Sequence, residues 1–87
     1  MAIQPFKNSI TIIRRKQLEQ RMGIGRSTIY LRISQSLIPS PVSLGAHSVG
    51  WPVHEIDAII AARVAGKSDD EIRLLVAELE TARKLAA

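Results

Sequence analysis

The sequence predicts a mostly α-helical fold that carries one small β-hairpin. Three observations point there. Apolar residues recur at four-residue spacing from Arg26 to about Ser36, directly behind a glycine-bounded turn. The period then shortens to two across residues 42–51. Two longer amphipathic stretches follow Pro52.

The elements follow in chain order. Residues 1–9 lack periodicity and contain Pro5, which reads as a flexible lead-in. Ile10-Thr11-Ile12-Ile13 is short and β-branched, and suits an edge strand or an extended approach to the first helix. Arg15 to Met22 reads as that helix, with Leu18 and Met22 on one face. Gly23 sits where a helix end favours the left-handed conformation, Ile24 plugs the turn, and Gly25 is an acceptable N-cap. In the second helix Ile29, Ile33 and Leu37 form one apolar stripe, and Ile38-Pro39-Ser40-Pro41 is expected to stop it. Two short helices joined by a tight glycine-containing turn form a helix-turn-helix.

In the hairpin, Val42 and Leu44 are expected inward, Gly45-Ala46-His47-Ser48 as the turn, and Val49 and Trp51 inward again. A hairpin in this place is a wing. Trp51, the single tryptophan, is assigned to the core beneath it and not to base stacking. Pro52 suits the first turn of a third helix, whose apolar face is Val53, Ile56, Ile59, Ile60 and Val64, ending at Gly66. Ser68-Asp69-Asp70-Glu71 is a capping-box pattern that opens a fourth helix, with Ile72, Leu75, Val76, Leu79 and Ala82 on one face. The resulting organisation is a lead-in over residues 1–9, a winged helix-turn-helix over 10–66, and an amphipathic C-terminal helix over 67–87 for packing or dimerisation.

Composition narrows the function. The chain has 87 residues, 46% of them apolar, and no cysteine, so the core forms without disulfides or thiolate metal sites. No apolar run approaches the length of a membrane span, and no signal peptide is read, which places the protein in the cytoplasm. The net charge of +4 is unevenly spread. Residues 1–50 hold seven Lys or Arg against one acid, whereas residues 51–87 hold five against seven. A basic half joined to a mildly acidic half suggests one side that faces a polyanion. An enzyme is not expected: the two histidines, His47 and His54, have no cysteine, phosphate loop or carboxylate cluster beside them. His54, Glu55 and Asp57 are read as a solvent-facing helix surface, and no metal, cofactor or small-molecule ligand is expected.

The runs Gly-Ile-Gly-Arg-Ser-Thr-Ile-Tyr at 23–30, Ile-Pro-Ser-Pro-Val-Ser-Leu-Gly at 38–45, Val-Gly-Trp at 49–51 and Glu-Ile-Asp-Ala at 55–58 resemble the AlpA family. These are small phage-type regulators related to excisionases and to the MerR-like winged-helix group. The resemblance covers roughly residues 12–64. It implies sequence-specific binding of double-stranded DNA by a transcriptional regulator, or by an excision directionality factor, of a prophage or mobile element. Family members usually carry Ser where this chain has Gly25, and often carry basic residues at the positions of Leu31, Ser40, Ser43 and His47.

In a helix-turn-helix the second helix enters the major groove. With Ile29 and Ile33 facing the core, Ser27, Leu31, Ser34 and Gln35 lie opposite, flanked by Thr28 and Tyr30. Arg26 is assigned to phosphate or a guanine edge, Ser27 and Thr28 to bases or phosphates, and Tyr30 to the backbone or the wing. Leu31 is assigned to thymine methyls and Gln35 to adenine. Arg14, Arg15 and Lys16, a positive cluster at a helix N-terminus, suit backbone phosphates. His47 and Ser48 form the wing contact. Arg32 is equally suited to Glu19 or to DNA, and Arg83, on the far helix, is expected to play no part in binding. Two alternatives remain open. One is a helical adaptor or assembly protein, set against the DNA-binding reading, in which a homodimer through residues 68–87 serves two half-sites. The other is a DNA-packaging module like the small terminase subunit.

Overall fold

A computed structural model describes residues 10–85. Along them run β1 (Ile12–Ile13), α1 (Arg15–Met22), α2 (Arg26–Ser34), β2 (Val42–Gly45), β3 (Ser48–Pro52), α3 (Val53–Val64) and α4 (Asp69–Leu85). The three strands form an antiparallel sheet in the order β1-β3-β2. The arrangement is a winged helix-turn-helix extended by a C-terminal helix. The lead-in expected over residues 1–9 lies outside the described residues. No described helix is long and apolar enough to cross a membrane.

The helix boundaries are set locally. Gly23 takes the left-handed conformation at φ 69°, and its N–H closes α1 on the Glu19 carbonyl at 2.8 Å. Gly25, extended, is the N-cap of α2. The end of α2 differs from expectation. Ser36, at φ 61°, turns the chain before any proline is reached. Its N–H bonds to the Ile33 carbonyl at 3.0 Å, and the Leu37 N–H bonds to that of Arg32 at 2.8 Å. This is a Schellman closure made without glycine. It throws Leu37 into the core, where it is 5% exposed. The capping box of α4 forms as read: Glu71 N–H donates to Ser68 Oγ at 3.2 Å, and Ser68 N–H to Glu71 Oε1 at 2.8 Å. Pro52 does not sit in the first turn of α3. It ends β3 opposite Ile12 and caps the helix that begins at Val53.

Two clusters make the core. Ile13, Leu18, Ile29, Ile38, Trp51 and Ile56 join the sheet to the first three helices. Leu37, Ile59, Ile72 and Val76 seat α4 on α3. Trp51 is fully buried, and its indole N–H donates to the Pro39 carbonyl at 3.0 Å. Beside it, Gly50 lies in the central strand under close approach from β1: a Cβ there would stand 2.9 Å from the Ile13 carbonyl oxygen.

Several inward assignments are corrected. Leu44 and Val49 are exposed, because the wing projects beyond the body of the domain and β3 is buried only at its root, Gly50 to Pro52, instead of alternating. Val64 is 84% exposed in the last turn of α3, and Ala82 is also exposed. The largest correction concerns Glu55. It does not face solvent beside His54 and Asp57 but is fully buried. Arg83 of α4 meets it with both arms of the guanidinium, at 2.6 and 2.9 Å. Arg83 is therefore a structural residue, not a neutral surface position. Asp57 does face solvent, where Arg21 of α1 grips it at 2.8 and 3.2 Å and holds its carboxyl below the usual range by hydrogen bonding.

Candidate nucleic-acid interface

The helix α2 buries Ile29 completely and half-buries Ile33, which fixes its rotation. The opposite side is then presented to solvent. Arg26, Ser27, Tyr30, Leu31 and Gln35 are exposed and Thr28 is half-buried. Leu31, at 56% exposure, is a large apolar side chain on an otherwise polar face. The Arg26 guanidinium lies over the Tyr30 ring, 5.9 Å from its centre. Such stacking holds the charged head beside the first turn of the helix. Ser34 is also exposed, but its Oγ donates back to the Leu31 carbonyl at 2.5 Å, which occupies its hydroxyl proton. Gln35 is the C-cap, more than two turns beyond Arg26 at the N-terminal tip of the helix.

The sheet brings the other expected contacts to the same side. Antiparallel pairing sets Ile13 opposite Trp51, so the chain leaves β1 at Arg14 alongside the outer half of β3. The N-terminus of α1 is thereby placed beside the wing. Arg14, Arg15, Lys16, Tyr30, His47 and Val49 together line one open groove of about 420 Å³. Three segments far apart in sequence thus meet: the start of α1, the middle of α2 and the tip of the hairpin. Val49 belongs to this lining although the alternation pattern had put it in the core. Its exposure follows from the length of the wing beyond the core, which two-residue periodicity does not report.

The cations in the groove are not equivalent. Arg15 forms an i,i+4 ion pair with Glu19, so part of its charge is already matched, and Glu19 is not the partner of Arg32. Arg14 and Lys16 are exposed. The Arg14 backbone N–H is satisfied by Gln17 Oε1 at 2.9 Å, which caps α1 without an acid, and no acidic residue lies in its first turn. The α2 segment likewise contains no acid. At the wing tip Ala46 and His47 form a two-residue connection between Gly45 and Ser48, with His47 at φ 62° and exposed. Ser48 is half-buried. Four further acids are paired away from the groove: Glu55 with Arg83, Asp57 with Arg21, Asp69 with Arg63 and Asp70 with Arg73. Apart from Glu19, which pairs with Arg15, positive and neutral hydrogen-bonding groups therefore occupy this face.

A family model described as prophage CP4-57 regulatory protein (AlpA) matches residues 11–64, which spans β1 through α3. A protein of Enterobacteria phage P4, named uncharacterized protein ORF88, is 44% identical over 45 residues, covering 52% of this chain and 51% of its own length. The chain thus spans about half the length of this relative. No solved structure matches.

Proposed function

Because the chain belongs to the AlpA family of prophage regulatory proteins, we propose that it acts by sequence-specific binding of duplex DNA, as a transcriptional regulator or an excision directionality factor of a prophage or mobile element. One observation carries this reading: the exposed face of α2 and the basic groove beside it share one side of the molecule. In this reading α2 lies in the major groove. Arg26, Ser27, Thr28, Leu31 and Gln35 meet base edges or the nearest phosphates. Arg14, Lys16 and the partly neutralised Arg15 receive the phosphate backbone, Tyr30 offers its hydroxyl from the groove wall, and His47 and Ser48 touch the strand beyond. The action is one of binding, not catalysis, and takes place in the cytoplasm. A homodimer through residues 68–87 would present two such helices to two half-sites. The outward Leu74 and Leu85 of α4, at 68% and 84% exposure, favour it.

The test is the salt dependence of duplex affinity. With about four phosphates neutralised, log K should fall against log salt with a slope of roughly −3 to −4. Arg26→Ala and Lys16→Ala should each weaken binding, and each should flatten the slope by about 1 where the lost contact is to phosphate. A helical adaptor would show no duplex affinity at low salt and no response to either substitution.

A further inference from the structure

The helix α4 lies outside the residues that match the family, yet it grips the connector between the recognition helix and the wing at three points. Arg73 Nε donates to the Gln35 carbonyl at 2.9 Å, at the very end of α2. Leu37, two residues on, is buried among Ile72 and Val76. At Ser40 both backbone groups are taken by the far end of α4: Glu80 Oε2 accepts the N–H at 2.8 Å, and Arg83 Nη2 donates to the carbonyl at 2.7 Å. Ser40 stands between Pro39 and Pro41, so its N–H is the only backbone donor of that tripeptide. Arg83 is in turn anchored on buried Glu55 of α3.

From this geometry we propose that α4 is a splint that sets the distance and angle between the recognition helix and the wing, with Arg73, Glu80 and Arg83 as its positioning residues. The inference rests on the DNA-binding reading above for its functional meaning. None of the three side chains need touch DNA. They hold the connector whose two ends carry the reading surfaces. Sequence discrimination requires both surfaces to be in register with the duplex at once, whereas general attraction to phosphate does not.

The chain has no cysteine, so Ser27→Cys and Ala46→Cys give two spin-label sites, one on α2 and one on the wing tip, which serve for distances only; every affinity is measured on the otherwise identical chain that keeps Ser27 and Ala46. The test introduces Arg73→Met with Glu80→Leu both into the labelled chain, for the distance, and into the unlabelled chain, for affinity; the groups they release, at Gln35 and Ser40, belong to exposed residues that water can serve. Glu80→Leu alone is the milder variant should the pair fail to fold. The expected result is a broader or shifted label-to-label distance. Affinity for a duplex enriched from a random-sequence pool should fall about tenfold, the order of one lost base-pair contact. Affinity for an unrelated duplex of equal length, and the salt slope, should stay within about twofold, because the phosphate term is intact. Arg73→Lys with Glu80→Gln should restore both distance and discrimination. An unchanged distance overturns the proposal, and so does a changed distance with undiminished preference for the enriched duplex. If the unsubstituted chain binds no duplex, the DNA reading fails by that result, while the label distance still decides whether α4 sets the geometry.

Discussion

Arg83→Met is expected to cost about 3–5 kcal/mol of folding stability, the range seen when one partner of a buried ion pair is removed. The reason is Glu55, whose side chain is 1% exposed and whose two carboxylate oxygens both receive Arg83. Removing the guanidinium leaves that carboxylate in an apolar setting without a donor, and also strips the Ser40 carbonyl of its partner. Against a total stability of about 5–15 kcal/mol for domains in general, the loss is a large fraction. The double variant Glu55→Met/Arg83→Met should recover most of it, because replacing both charges by apolar groups of similar volume removes the uncompensated burial. The neighbouring side chains of Ile12, Val42 and Leu79 make the site receptive to that exchange. Urea unfolding of the two variants checks this. A single variant as stable as the parent would show that the pair contributes nothing.

Trp51→Ala is expected to cost about 3–5 kcal/mol, the range for a large aromatic removed from a core. Trp51 is fully buried within the cluster that joins the sheet to α1, α2 and α3. Its loss opens a cavity and leaves the Pro39 carbonyl without the indole donor. Both effects fall at the root of the wing, so thermal unfolding should shift strongly and the wing amides should lose protection first. A drop of less than about 1 kcal/mol would mean that the site collapses to fill the space.

The parts of this molecule that could be read from sequence are those with local causes. The turn at Gly23–Gly25 and the Ser68–Glu71 capping box each need only neighbours within four residues, and each forms as expected. The core stripes of α2 and α3 were legible for the same reason, through Ile29, Ile56 and Ile59. What sequence spacing does not report has, apart from Ser36, distant causes. Glu55 looks like a surface acid because its partner lies 28 residues away on another helix. Ser36 closes α2 locally, through its own bond to Ile33 and that of Leu37 to Arg32, but a serine is no compositional mark of a helix stop, whereas the prolines behind it are. Leu44 and Val49 alternate as core residues do, but alternation does not tell how far a hairpin extends past the core it grows from. The candidate site residues can be singled out one by one from charge and helix face, and their part in binding is a proposal. That Arg14, Lys16, Tyr30 and His47 line one groove depends on β1 pairing with β3, a long-range contact that no sequence spacing announces.

The central claim is tested most directly by following the backbone amides of the isotope-labelled chain while a duplex is added at low ionic strength. The account predicts shifts concentrated at residues 14–16, along the outer face of α2 and at the wing tip around His47, with the outward face of α4 near Leu74 and Leu85 unmoved. Shifts confined to α4, or none at any duplex concentration, would contradict it.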